Sequence, residues 1–186
     1  MVTDMATIRT EHWLHRLNNA DLQICLLFNR SCRYVSVVRF FTHISRLGDG
    51  VFWYGLIAAL PFIYGPQALQ PTLHLLTTGI ICLVIYKIIK KLTGRRRPCN
   101  AHKDIFLATA PLDYYSFPSG HTLHAVAFTI VVMHYYPELG LICIPFSLCV
   151  ALSRVILGLH YPTDVIAGAV IGSSLAIIGI QLVLLF

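Results

Sequence analysis

The run Gly50–Tyr86, GVFWYGLIAALPFIYGPQALQPTLHLLTTGIICLVIY, contains no Asp, Glu, Lys or Arg. A helix crosses the apolar part of a bilayer with about 20 residues, so the run is too long for one span and long enough for two. Pro66 and Pro71 punctuate it near the middle. It reads as a helical hairpin with spans near 50–66 and 71–90. Pro61 is expected to kink the first span, which neighbouring helices tolerate inside a bundle.

The rest of the chain fits this reading. Of 186 residues, 56% are hydrophobic and 12% charged, and the mean hydropathy is +0.71. A soluble domain carries about 25% charged residues. Three further spans are expected near 119–137, 139–157 and 162–185, with a tight turn at Pro137-Glu138-Leu139-Gly140 between the first two of these. The net charge of +6 gathers at segment ends, which points to anionic lipid and away from nucleic acid.

Residues 1–48 differ. Arg9, Arg16, Arg30, Arg33, Arg39 and Arg46 interrupt them too often for a span. Leu22, Cys25, Leu26 and Phe28, then Val37, Val38, Phe41 and Ile44, recur at helical spacing. The expectation is an all-α integral membrane bundle of about five transmembrane helices at 49–186, preceded by amphipathic interfacial helices at 1–48. A helical pair docked on the bundle is the other reading of that segment. No secretory signal pattern opens the chain. Of the cysteines, Cys82, Cys143 and Cys149 lie in apolar runs and read as packing residues, while Cys99 stands beside the basic loop.

Five spans put segments 91–118 and 155–162 on the same side as the N-terminus. Three short patterns then meet at one face. The first is Lys90, six residues, then Arg97-Pro98. Guanidinium and ammonium groups grip phosphate oxygens, although Lys87, Lys91, Arg95 and Arg96 read as membrane-flanking charges. The second is Pro118-Ser119-Gly120-His121, a helix start whose N–H groups at Ser119 and Gly120 suit an anion; a plain capped helix is the alternative. The third is Ser153-Arg154, then His160, then Asp164. A cation at Arg154 in an apolar stretch is costly unless partnered. A carboxylate four residues after His160 reaches its Nδ1–H if the turn is helical, leaving Nε2 as a nucleophile; Asp164 as a mere helix cap is the alternative. His74, His124 and His134 read as packed span histidines, with His124 close enough to His121 to line a pocket. The cations argue against a metal site, because they repel a divalent ion and already supply the positive charge it would offer.

These three patterns together resemble the type-2 phosphatidic acid phosphatase superfamily, which also contains the vanadium haloperoxidases. The resemblance implies that His160 is the nucleophile forming a phosphohistidine, Asp164 its orienting partner and His121 the general acid. Lys90, Arg97, Arg154, Ser119 and Gly120 then form the phosphate clamp, with no metal and no cofactor. It implies a hydrolase acting on a lipid phosphate, undecaprenyl diphosphate being favoured over phosphatidylglycerophosphate, phosphatidate or lipid A. No nucleic acid and no obligate protein partner are implied. Many bacterial relatives have six spans, so the five counted here are a departure. The competing readings are a non-catalytic phospholipid-binding or lipid-moving protein and a vanadate-dependent peroxidase. The resemblance suggests a bacterial inner-membrane protein with an extracytoplasmic site. All 14 Lys and Arg fall on the site's side by the span count, and the positive-inside rule places that side in the cytoplasm. The two expectations conflict.

Overall fold

The computed structural model describes residues 5–111 and 113–185, with side chains from Arg16 onward. Arg9, one of the expected N-terminal interruptions, lies outside the described side chains. The chain is an all-α membrane bundle. Its helices are α1 (Met5–Asn29), α2 (Val35–Arg46), α3 (Phe52–Tyr64), α4 (Leu69–Thr93), the short α5 (Pro98–Ala101), α6 (Gly120–Tyr135), α7 (Gly140–Ile156) and α8 (Pro162–Leu184). Among the described residues, three stretches, Val35–Thr93, Pro137–Ile156 and Pro162–Leu184, are long and apolar enough to cross a membrane.

The charge-free run folds as the hairpin α3–α4. Gly65, at φ 73, closes α3, and a short 3-10 turn, Gly65–Ala68, carries the chain into α4. Gly94, in the left-handed conformation at φ 58, closes α4, and its N–H donates to Lys90 O. Because α4 stops at Gly94, Lys90 and Arg97 do not share a helical face, and a loop brings them together.

Large apolar side chains cover the outside. Phe62 is 90% exposed, Leu141 86% and Leu92 80%, an area that only lipid or a partner tolerates. The interior packs Trp53, Leu75, Leu123, Phe128, Val131 and Val150, with Cys82 and Cys143 filling space among them. At the end away from the three sequence patterns, Tyr64 stacks on Tyr136 and donates to Glu138 Oε1 at 2.7 Å, tying the α3–α4 turn to the α6–α7 turn.

The α6–α8 pair positions the site. A Cβ at Gly168 would stand 2.6 Å from Ser119 O, and one at Gly172 would stand 2.3 Å from Leu123 O. Only glycine lets these backbones approach so closely, the small-residue packing typical of membrane helices. The start of α6, carrying Ser119 to His121, is thereby pressed against the start of α8, carrying Asp164.

Candidate functional site

The three sequence patterns meet at one end of the bundle, where a cavity of about 860 Å³ opens. Lys90, Arg97, Gly120, His121 and His160 line its polar end, and Trp53, Ile57, Leu75, Ile80 and Phe128 line an apolar extension between α3, α4 and α6. His124 also lines it; its Nδ1 is 2.9 Å from Gly120 O. His74 behaves as a packed span residue, with Nδ1 3.0 Å from Tyr135 Oη.

His160 sits in the α7–α8 connection and is 1% exposed. Gly158, at φ 72, reverses the chain there, and the N–H groups of Leu159 and His160 both donate to Arg154 O at 3.0 Å. Arg97 Nη1 is 3.1 Å from His160 Nε2. A guanidinium only donates, so Nε2 carries the lone pair and, in the neutral ring, the proton is on Nδ1. Burial, then the charges of Arg97, Arg154 and Lys90, hold the His160 pKa well below the ordinary imidazole range. The ring is therefore neutral near neutral pH.

Asp164 departs from its expected geometry. Its Oδ2 stands 3.6 Å from His160 Nδ1, and that nitrogen has no hydrogen-bond partner. Residues 160–164 are not a helical turn, since α8 begins at Pro162. The carboxylate instead caps α8, accepting from the Tyr161 N–H at 2.8 Å, and it accepts from the Ser116 hydroxyl and from Arg95 Nη1 at 2.6 Å. Capping and proximity to His160 thus coexist in one residue.

Arg95 corrects another expectation. It is no membrane-flanking charge: Nη1 also donates to Thr163 Oγ1 at 2.8 Å, Nη2 donates to Asp21 Oδ2 at 2.7 Å, and the guanidinium lies over the Tyr161 ring. Burial pushes the Arg95 pKa down, but Asp164 and Asp21 outweigh burial and hold it above the ordinary value. Asp21, on α1, also accepts from the Thr163 N–H and hydroxyl.

Lys90 and Arg97 do come together, around a residue the sequence reading missed. Asp113 takes two Lys90 Nζ contacts, at 2.7 and 2.9 Å, and one from Arg97 Nη2 at 2.7 Å. Lys90 gives its remaining donor to Tyr115 O at 2.9 Å; Arg97 Nε donates to Asp113 O at 2.9 Å and Nη1 to Leu159 O at 2.7 Å. Burial raises the Asp113 pKa, yet the Lys90 and Arg97 contacts prevail and hold it below the usual carboxylate range. A carboxylate thus stands between the two cations.

Arg154 is 2% exposed; Nη1 donates to the Ser45 hydroxyl, and Nε is buried with no partner among the described residues. Buried guanidinium nitrogens are rarely left unsatisfied, and an anion in the site would satisfy this one. Ser119 corrects the second pattern: its N–H donates to Asp164 O at 3.0 Å, and its hydroxyl pairs with Thr122 Oγ1 at 3.0 Å without capping the helix. The N–H groups at this helix start without an acceptor in the helix are therefore those of Gly120, His121 and Thr122, since the first intrahelical bond runs from Leu123 N–H to Ser119 O. His121 Nε2 pairs with Asp49, in the α2–α3 connection. Among the described residues, no group of three or more His, Cys, Asp or Glu stands close enough to hold a metal ion.

The aspartates that sequence reasoning missed left a faint signal. The chain has only 8 Asp and Glu against 14 Lys and Arg. An acid at the edge of an apolar run, as Asp49 is beside Gly50–Tyr86, calls for a partner.

Comparison with known proteins agrees with this geometry. Over 103 residues the chain is 31% identical to a lipid A 1-phosphatase from Rhizobium etli, matching 53% of this chain and 44% of that protein. Over 140 residues it is 27% identical to an undecaprenyl-diphosphatase from Sulfolobus acidocaldarius, matching 75% and 67% of the two chains. The chain thus spans between about half and two thirds of the length of these relatives. The crystal structure of Aquifex aeolicus LpxE superposes with a TM-score of 0.74 at 28% identity, covering 86% of this chain and 94% of that one. A transmembrane PAP2 type phosphatidylglycerolphosphate phosphatase from Bacillus subtilis, at 24% identity and a TM-score of 0.74 over 90% and 86% of the two chains, shares the fold. The sequence pattern of the PAP2 superfamily matches residues 71–185, which hold all three patterns, and the chain belongs to that superfamily.

Proposed function

We propose that this protein is a membrane lipid phosphatase that acts through a phosphohistidine on His160 and needs no metal. The observation that carries the reading is the convergence of a neutral, buried histidine offering Nε2 with Lys90 and Arg97 at the polar end of a cavity whose other end is apolar, with Arg154 near enough for its charge to act on that histidine. In the first step the substrate phosphate displaces the Asp113 carboxylate from Lys90 and Arg97. His160 Nε2 attacks phosphorus; the P–N bond forms, the P–O bond to the lipid breaks, and the leaving oxygen takes its electron pair and a proton from His121. In the second step a water attacks the phosphohistidine, giving its proton to His121; the P–N bond breaks and inorganic phosphate leaves. The cations and the Gly120 N–H balance the charge on the transferred phosphoryl oxygens, which is most of what phosphoryl transfer asks of a protein. Asp164 and Arg95 hold the His160 connection in place, and Ser119 holds the start of α6.

For substrate we favour a polyprenyl diphosphate such as undecaprenyl diphosphate, with lipid A, phosphatidate and phosphatidylglycerophosphate as alternatives. The long apolar cavity suits any of these chains. The exposed Lys87 and Lys91 at its rim suit a second phosphate. The segments α1 and α2 are proposed to lie along the membrane interface, where exposed Val35 and Phe40 stand beside exposed Arg33 and Arg39. An inner-membrane location with the site on the extracytoplasmic face belongs to the same proposal.

The test is phosphate release by purified, detergent-solubilised protein in EDTA, across a panel of these lipids, beside His160→Ala. Release in EDTA that the substitution abolishes is expected. Release that EDTA removes contradicts the metal-free scheme. Binding of the lipids without any release favours a lipid-binding role.

A further inference from the structure

The α2–α3 connection, Leu47–Val51, lies outside the part of the chain matched to the superfamily, yet it reaches the site's second histidine. Its construction explains how. Gly48 is buried against α7, where a Cβ would stand 2.9 Å from a Val150 methyl. Gly50 adopts φ 133, a conformation that favours glycine, and a Cβ there would stand 2.5 Å from the Tyr54 ring. One turn earlier, Ser45 accepts from Arg154 of the same helix α7. The two glycines and Ser45 press the connection into the bundle and deliver the residue between the glycines, Asp49, onto His121 Nε2. Both side chains line the cavity; His121 is 11% exposed and Asp49 31%.

We propose that Asp49 is a positioning residue of the reaction, holding the His121 ring in place and keeping it protonated until the leaving oxygen takes the proton. The surroundings give it that task. His121 faces Arg154 from α7, His160 from the α7–α8 connection and His124 from its own helix. Like charge disfavours an imidazolium, and a carboxylate in contact favours it. Asp49 is the carboxylate in contact with it.

The inference rests on the phosphatase reading; wild-type phosphate release, measured in the same assay, tests that reading separately. Asp49→Asn keeps the shape and removes the charge. Its kcat/KM for a lipid phosphomonoester, whose alkoxide leaving group needs the proton, is expected to fall by about 10–10²-fold near neutral pH, within the range of a general acid's contribution. The basic limb of its pH–rate profile is expected to move to lower pH, because the acid form of His121 is lost earlier. Hydrolysis of p-nitrophenyl phosphate, whose leaving group departs without a proton, is expected to change by less than about threefold, since little of that acid contribution is at stake. In a His121→Ala background, Asp49→Asn is expected to add nothing. An unchanged pH profile, or an equal loss on the ester and the aryl phosphate at every pH, overturns the proposal and leaves Asp49 a structural residue. If Asp49→Asn does not fold, Asp49→Glu decides: a displaced basic limb supports the proposal, and a wild-type limb overturns it.

Discussion

Residues 71–185 and the segment before α3 build this site in different ways. The first region supplies every group assigned to the chemistry: Lys90, Arg97, Gly120, His121, Arg154 and His160. The second supplies none of these, yet its polar side chains reach into their surroundings. Asp21 holds Arg95, Ser45 holds Arg154 and Asp49 holds His121. Asn29 joins Phe106 O and Ile156 O, each at 2.9 Å, fixing the loop before α6 to the end of α7. In the proposed mechanism one region carries the reacting groups and the other sets their posture.

This division can be broken by substitution. Arg154→Ala removes a charge from the core side of a contact and is expected to lower kcat by about 10²–10³-fold. Ser45→Ala removes the other side and is expected to cost less than about 10-fold, the worth of one neutral hydrogen bond. Equal losses in steady-state assays would erase the distinction between the two regions.

The next effect concerns a resident of the core. Asp113→Asn takes away the charge that competes with phosphate for Lys90 and Arg97. Inhibition by inorganic phosphate is expected to tighten by about 10-fold, the equivalent of one charged hydrogen bond. An unchanged inhibition constant would mean that phosphate does not enter between those cations.

Asp21→Asn sharpens the comparison from the N-terminal side. Arg95 and Asp164 remain, so chemistry should persist with kcat reduced only a few-fold. The buried pairing is lost, and stability in thermal unfolding should fall by about 1–3 kcal/mol. A loss of activity as deep as that of Arg154→Ala would make Asp21 part of the reacting machinery.

The smallest effect is a position on the pH axis. His160 must be neutral to attack, and burial with Arg97, Arg154 and Lys90 holds its pKa well below the ordinary value. The acid limb of kcat/KM is therefore expected below the usual imidazole range. Arg97→Gln, by removing a cation, should move that limb up. A limb at the ordinary value in the wild type would contradict the neutral, buried nucleophile.

The sequence disclosed the reacting groups better than their partners for a physical reason. Lys90, Arg154 and His160 stand in or beside apolar runs, where a polar residue is conspicuous and calls for an explanation. The hairpin was also readable, because the expected spans near 50–66 and 71–90 overlap α3 and α4, with Pro66 in the turn between them. Asp21 and Arg95 lie in polar stretches, where a charge has no local reason to stand out, whereas Asp113 is the one Asp, Glu, Lys or Arg between Ile105 and Pro137 and could have been found by the same rule; the folded loop between α4 and α6 brings the three to their partners. The expected Nδ1–H contact of Asp164 failed because a residue in the first turn of a helix serves the cap as well, and the sequence spacing is the same for both duties. Ser119 failed similarly: its N–H is claimed by Asp164 O, a contact made possible by the Gly168 and Gly172 approach and invisible in the local pattern.

The central claim is that His160 itself carries the phosphoryl group. It is tested most directly by mixing the protein with a lipid phosphate labelled with ³²P in the transferred group, quenching in base within one turnover and digesting the chain. The account predicts an acid-labile, base-stable label on the peptide containing His160, absent from His160→Gln. Rapid phosphate release with no label on the protein, or a label that persists in His160→Gln, would contradict it.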